Sequence, residues 1–237
     1  MMKTSKHVFI DIDDTLYSYA NSNKKALHSV FSYISDESDM NIDEIRTLYE
    51  LSRNHIKLNL SNTSSSHNKL LHFRKLTEAL NIEVSANFLS KLNNLYWHAF
   101  YENLTPLEGL ESLFEYFSKN NFKIIFFTDY NLYFQLNKLE KLNLGSLNSI
   151  IYSSEEVGFD KPSDNFKKYL KNYVENNVSP NDEVFVIGND KKKDIDLIKS
   201  IVKCKSFLIG SKIENEYLSD NEDYIVTNLK EILKHLK

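Results

Sequence analysis

The chain has one cysteine, Cys204, so no intramolecular disulfide can form. Secreted disulfide scaffolds and cysteine-based zinc modules are thereby excluded. It has three prolines and five glycines in 237 residues. Such sparse punctuation predicts long helices and excludes a collagen-like fibre. No stretch approaches the roughly 20 apolar residues of a membrane-spanning helix, so no membrane partner is expected. Basic charge is not in excess: Lys+Arg 29 against Asp+Glu 33 leaves a formal net charge of -4. That balance offers no electrostatic footprint for nucleic acid or an anionic membrane surface. Met1 to His7 runs directly into an apolar, strand-like segment rather than a signal-peptide pattern. With the lone cysteine, this fits a cytoplasmic location.

What the chain does have is 41% hydrophobic and 26% charged residues, a globular composition. Its length suits one large domain or a core with a smaller insert. Six short apolar runs read as strands: Val8–Ile10, Ile124–Phe127, Ile150–Tyr152, Val184–Ile187, Phe207–Ile209 and Tyr224–Val226. Most are continuous rather than alternating, as parallel strands buried on both faces are. Helical patterns fill the gaps, with Leu110, Leu113, Phe114 and Phe117 on one face and Leu132, Leu136 and Leu139 on another. Alternating strand and helix is the signature of an α/β, Rossmann-like, doubly wound parallel sheet.

Residues 18–104 break that alternation. Leu27, Val30, Phe31 and Ile34 form one helical face, and Ile42, Ile45, Leu48 and Tyr49 a second. Leu70, Phe73, Leu76 and Leu80 form a third, and Phe88, Leu92, Leu95 and Tyr96 a fourth. The block is too long for a crossover between adjacent strands. It reads as an all-helical domain inserted after the first strand, with residues 1–17 and 105–237 forming the α/β core.

Chemistry concentrates where the first strand ends, in Asp11-Ile12-Asp13-Asp14-Thr15-Leu16-Tyr17. Ligands of open α/β sheets bind beyond the carboxyl ends of the strands. Two carboxylates at the end of a buried strand are costly unless they meet a metal or a donor network. Asp11 suits a nucleophile that forms an aspartyl phosphate, and Asp13 an acid and base. A helix cap or turn is the alternative use of such residues.

The string Asp11-x-Asp13-x-Thr15 after a hydrophobic strand resembles the first motif of the haloacid dehalogenase superfamily. Three further motifs of that family follow in order. Ile124–Phe127 leads into Thr128-Asp129, a hydroxyl at a strand end. Gly158-Phe159-Asp160-Lys161-Pro162 is similar to the family's Gly-x-x-Lys-Pro form. Gly188-Asn189-Asp190, followed by Asp194, matches the acidic motif Gly-Asp-Ser-x-x-x-Asp, except that Asn189 stands where the family's metal-binding Asp is expected.

The resemblance implies a helical-capped, Mg²⁺-dependent phosphatase acting on a small phosphate ester of the nucleotide or sugar phosphate class. Asp11, Asp13 and Lys161 would be catalytic. Thr128, Asp129 and Lys161 would bind phosphate. Asp11, Asp13 through its backbone carbonyl, and either Asn189 or Asp190 would hold the metal, with Asp194 orienting Lys161 or the metal's waters. An Asp at position 13 favours phosphoryl transfer over dehalogenation, whose leaving group needs no proton. A phosphomutase on the same core, or a non-catalytic regulatory relative, are the alternatives. His67, Asn68, Lys69, His72 and Arg74 cluster near one helix start and read most simply as a solvated helix face. Oligomeric state is not legible in the residues.

Overall fold

The computed structural model describes residues 4–83, 85–210 and 223–236. They divide into two compact units, one of residues 19–105 and the other of the residues before and after that stretch.

The larger unit is built on a parallel sheet of β1 (Lys6–Ile10), β2 (Phe122–Thr128), β3 (Ser149–Ser153), β4 (Glu183–Gly188), β5 (Lys205–Ile209) and β6 (Asp223–Val226). All six apolar runs are strands, and their order across the sheet is β3-β2-β1-β4-β5-β6. The chain winds from β1 through β2 to β3, then returns to lay β4 on the other side of β1. That reversal makes the carboxyl end of β1 a topological switch point, the place where open α/β sheets carry ligands. The registers Ile10↔Phe126 and Ile10↔Ile187 bring the ends of β1, β2 and β4 level with one another.

Successive residues of a strand face opposite sides of the sheet. Phe9, Ile125, Phe127 and Val186 belong to one buried cluster with Phe166, Leu170 and Tyr173. Phe126 instead stacks on Phe114, ring centroids 6.1 Å apart. Both faces are covered, which explains the continuous apolar runs. Phe114 lies on α5 (Leu110–Lys119), and the Phe166 cluster on α8 (Asp164–Asn177). Between them come α6 (Leu132–Lys141) and the short α7 (Ser154–Val157). A π-helical turn, Lys191–Asp196, runs into α9 (Leu197–Lys199), and α10 (Leu229–Leu236) closes the described chain. Helix α6 departs from the expected apolar face. Leu136 is 47% exposed, whereas Gln135 and Lys138 are buried with Leu139.

The smaller unit contains α1 (Tyr19–Ser38), α2 (Ile42–Asn59), a 3₁₀ turn, α3 (Lys69–Ala79) and α4 (Ala86–Glu102). Its core is aromatic: Phe31 lies 5.3 Å from Tyr49, and Phe73 5.7 Å from Tyr96, in edge-on contacts. Polar residues replace glycine and proline as punctuation. Asn41, Asn68 and Ser85 accept main-chain N–H bonds at helix starts, and Asn62 and Asn81 take left-handed turns with φ of 60° and 53°. Asparagine tolerates that region better than most side chains do.

The polar cluster at the start of α3 is not one solvated face. Arg74 is exposed and paired with Glu78 at 2.7 Å. Lys69 is buried, its ammonium 5.2 Å from the Tyr96 ring centroid and 5.8 Å from that of Tyr19. His72 is buried with Nε2 2.9 Å from the Ser66 carbonyl. Among the described residues no helix is long and apolar enough to cross a membrane.

Burial, helped by the Lys69 charge, holds the His72 imidazole down at about 3. An unfolded histidine titrates near ~6.5, so between those values the unfolded chain binds the extra proton and stability falls as pH falls. The slope from this one residue approaches ~1.4 kcal/mol per pH unit. The melting temperature of the wild-type protein is expected to drop more steeply from pH 6.5 to 5 than that of His72→Gln. Parallel curves in thermal denaturation would contradict the assignment.

Candidate active site

The ladder of β1 continues one residue past the strand, with the Asp11 N–H donating to the Ile187 carbonyl at 3.0 Å. Asp11 is therefore held by backbone before its side chain makes any contact. The chain then turns tightly: Leu16 N–H returns to the Ile12 carbonyl at 3.0 Å, and Asp14 adopts φ of 57°. The turn folds Thr15 back so that its hydroxyl donates to Asp11 Oδ2 at 3.0 Å. Thr15 Oγ1 also lies 3.4 Å from Asn189 Oδ1, at the end of β4.

Lys161 reaches the same place from the loop after α7. Its buried ammonium donates to Asp11 Oδ1 at 2.6 Å and to Asp194 Oδ1 at 2.7 Å, and sits 3.4 Å from the Phe127 carbonyl. Burial opposes the charge on Lys161, but Asp11, Asp194 and Asp129 outweigh it and hold the ammonium protonated well above the ordinary lysine range. Burial likewise pushes the Asp11 carboxyl above the usual carboxylate range; Lys161 pulls against that rise, and Asp194 adds to it. Two buried carboxylates thus share one ammonium.

Asp194 does more than face Lys161. Its Oδ2 accepts the main-chain N–H groups of Asn189 and Asp190, at 3.1 and 3.0 Å. The loop after β4 is wrapped around that carboxylate, and Gly188 makes the wrap possible. A Cβ on residue 188 would lie 2.4 Å from the Asp194 Cβ, a separation real atoms do not reach. The Asp190 carboxylate is turned elsewhere. Its Oδ1 accepts the N–H groups of Lys192 and Lys193, both at 2.9 Å, and so caps the π-helical turn. Of the two adjacent candidates for a metal ligand, Asn189 is the one whose side-chain oxygen is turned toward Thr15.

Thr128 ends β2, buried, with its hydroxyl 3.2 Å from the Asp129 carbonyl. The Asp129 carboxylate is occupied by its own loop partners. Oδ1 accepts the Lys161 N–H at 2.8 Å, and Oδ2 lies 3.3 Å from Lys193 Nζ. The next residue, Tyr130, has φ of 82°, an uncommon value for a bulky side chain, and its N–H donates to Ser154 Oγ at 2.8 Å. This backbone kink follows directly on the Thr128-Asp129 step.

Asp13 lies two residues beyond Asp11, where strand alternation has already ended. Its carboxylate accepts from Lys138 Nζ at 2.7 and 3.0 Å, from Gln135 Nε2 at 3.1 Å and from the Tyr17 hydroxyl. Burial works to raise this carboxyl. The Lys138 charge and the three sets of hydrogen bonds overcome that and hold it below the usual carboxylate range.

Asp11, Lys161, Asp194 and the Asn189 loop therefore converge through direct contacts, and Thr128 stands at the next strand end. Sequence reasoning missed Thr15 as a direct partner of Asp11, and it missed Gln135 and Lys138 altogether. The one available signal was their spacing: Leu132, Gln135 and Lys138 recur every three residues, as one helix face does.

The model of the haloacid dehalogenase-like hydrolases matches residues 8–201. Ribulose-1,5-bisphosphate 5-phosphatase of Halopiger xanaduensis is 24% identical over 189 residues, 79% of this chain and 78% of that protein. Two solved structures share the fold at low identity. The magnesium-bound hydrolase YfnB of Bacillus subtilis superposes with a TM-score of 0.68 at 18% identity, covering 99% of each chain. A phosphatase of Thermococcus onnurineus gives 0.67 at 20% identity, covering 98% of this chain and 97% of its own. With four motifs in order along the chain, and a family model spanning most of its length, the chain belongs to the haloacid dehalogenase-like hydrolases.

Proposed function

We propose that the protein is a Mg²⁺-dependent phosphatase of small phosphorylated metabolites. The observation that carries the reading is the buried Asp11 carboxylate, held by Lys161 and Thr15 at the switch point of the sheet, with Asp13 two residues on.

The charge balance suits a divalent cation. Asp11 and Asp194 bring two negative charges against the single positive charge of Lys161, and burial alone drives Asp11 toward its neutral form. The Asp11 carboxylate, the Asp13 carbonyl oxygen and Asn189 Oδ1 would hold Mg²⁺, an all-oxygen set of the kind that ion takes. Such an ion would supply positive charge that lets an anionic carboxylate meet an anionic phosphate. Asp190 is left out of the set because its carboxylate caps the following turn.

Asp11 attacks phosphorus in line with the ester oxygen, forming an aspartyl phosphate as the bond to that oxygen breaks. Asp13, ionised in the free protein, takes up a proton beside the anionic ester, whose negative charge favours the neutral acid, and gives that proton to the departing oxygen. It then takes one from water, which attacks the aspartyl phosphate, releases phosphate and restores Asp11. Lys161 offsets charge on the phosphoryl oxygens throughout. The Thr128 hydroxyl and the main-chain N–H groups around Asp129 orient those oxygens. The Asp129 carboxylate, already bonded to Lys161 N–H, steadies the loop. We assign substrate choice to the helical unit, as the cap of a capped hydrolase. Among nucleotide and sugar phosphates, the likeness to a ribulose bisphosphate phosphatase favours the sugar phosphates.

A phosphate-release screen across nucleotides, sugar phosphates and small acid phosphates, with and without Mg²⁺, tests the reading directly. Asp11→Asn is expected to lower turnover by more than about 10³-fold while the melting curve is retained; activity surviving that change would remove Asp11 as nucleophile. Asn189→Asp adds a charged ligand and is expected to tighten Mg²⁺ about tenfold or more in calorimetric titration without substrate. An unchanged affinity would return the ligand role to Asp190.

A further inference from the structure

Lys138 is a charged residue on α6 with a side chain only 1% exposed, whereas the Asp13 carboxylate it meets is 31% exposed. A lysine so deeply placed is rare unless it is paired, and this one gives two contacts to a single carboxylate, at 2.7 Å to Oδ1 and 3.0 Å to Oδ2. Gln135, one turn earlier, adds 3.1 Å to Oδ2, and the Tyr17 hydroxyl donates to Oδ1. A carboxylate offers about four lone-pair directions, so this bracket defines the whole orientation of the group. Gln135 also donates to the Asp129 carbonyl at 2.7 Å, which ties the same helix to the end of β2. The loops after β1 and β2 are thus indexed to one turn of α6.

We infer that Lys138 is a positioning residue for Asp13: with Gln135 and Tyr17 it aims the carboxylate so that Oδ2, whose contacts to Lys138 and Gln135 are 3.0 and 3.1 Å, is the oxygen that exchanges one of them for the leaving group. The inference rests on the phosphatase reading and adds a residue that the four motifs do not contain. It separates from a merely structural ion pair by its dependence on the leaving group. An ester whose alcohol is a strong base must be protonated as it departs; p-nitrophenolate leaves without help.

Lys138→Met is therefore expected to lower kcat for ribose 5-phosphate by about 10²-fold, at the low end of what acid–base catalysis supplies, while p-nitrophenyl phosphate changes by less than about threefold. In an Asp13→Asn background the same substitution is expected to add nothing for ribose 5-phosphate, because residues acting through one group are not additive. Equal losses on both esters, or additive losses, would overturn the inference. If the methionine variant does not fold, Gln135→Leu removes one donor to Oδ2 without stripping the charge and carries the same test, with a loss of about tenfold on ribose 5-phosphate alone expected. Wild-type protein inactive on every ester would defeat the phosphatase reading instead. A crystal structure of the Lys138→Met protein then decides this point separately: an Asp13 carboxylate unmoved from Gln135 and Tyr17 refutes the positioning role, and a displaced one supports it.

Discussion

The larger unit is organised around one ion pair that is shared three ways. Lys161 bonds both Asp11 and Asp194 below the surface, and each partner comes from a different part of the chain. Removing ions from water is expensive, and only good geometry with further hydrogen bonds offsets it. Here the remaining valences are filled: Thr15 and the Asn189 and Asp190 N–H groups complete the two carboxylates. Deleting Lys161 would leave two buried carboxylates without their cation, and deleting Asp194 would leave two N–H groups without their acceptor. The same triad therefore defines the shape of three loops and sets two buried carboxylates against one ammonium.

Lys138 and Asp13 stand beside this triad as a second pair of opposite character. Asp11 is raised by burial, and Asp13 is lowered by its cation and its hydrogen bonds. Two carboxylates separated by one residue are thus driven apart in acidity by the elements that surround them. Such divergence is the usual route by which neighbouring acids take different roles.

The sheet was readable from the residues because β1, β2 and β4 are buried on both faces, and unbroken apolar runs such as Val8–Ile10 have few other uses. The motifs were readable because their spacing is local: Asp11 to Asp13, Gly158 to Lys161, Gly188 to Asp194. What escaped notice is long-range and polar. Gln135 and Lys138 face inward on α6 for the sake of a carboxylate 125 positions earlier in the case of Lys138, and no pattern of apolar residues announces that. Leu136, apolar and exposed, points the pattern the wrong way. Lys69 and His72 escaped for the same reason, since their partners are aromatic rings and a carbonyl rather than an opposite charge. The different settings of Asn189 and Asp190 needed the geometry of a turn: Asp190 caps it, and the Asn189 side chain lies beside Thr15.

The central position of β1 has a further consequence for how the protein comes to be folded at all. Lys6 stands opposite Phe122 on one side and Glu183 on the other. During synthesis the first strand emerges with neither neighbour in existence, and a whole bundle of helices, whose contacts are mostly among its own residues, is made before the earlier of the two. Long-range parallel pairing of this kind is slow, and until it forms, apolar side chains and unpaired backbone groups are open to chance encounters. Asp11 thus follows a strand whose two neighbours are both made after it.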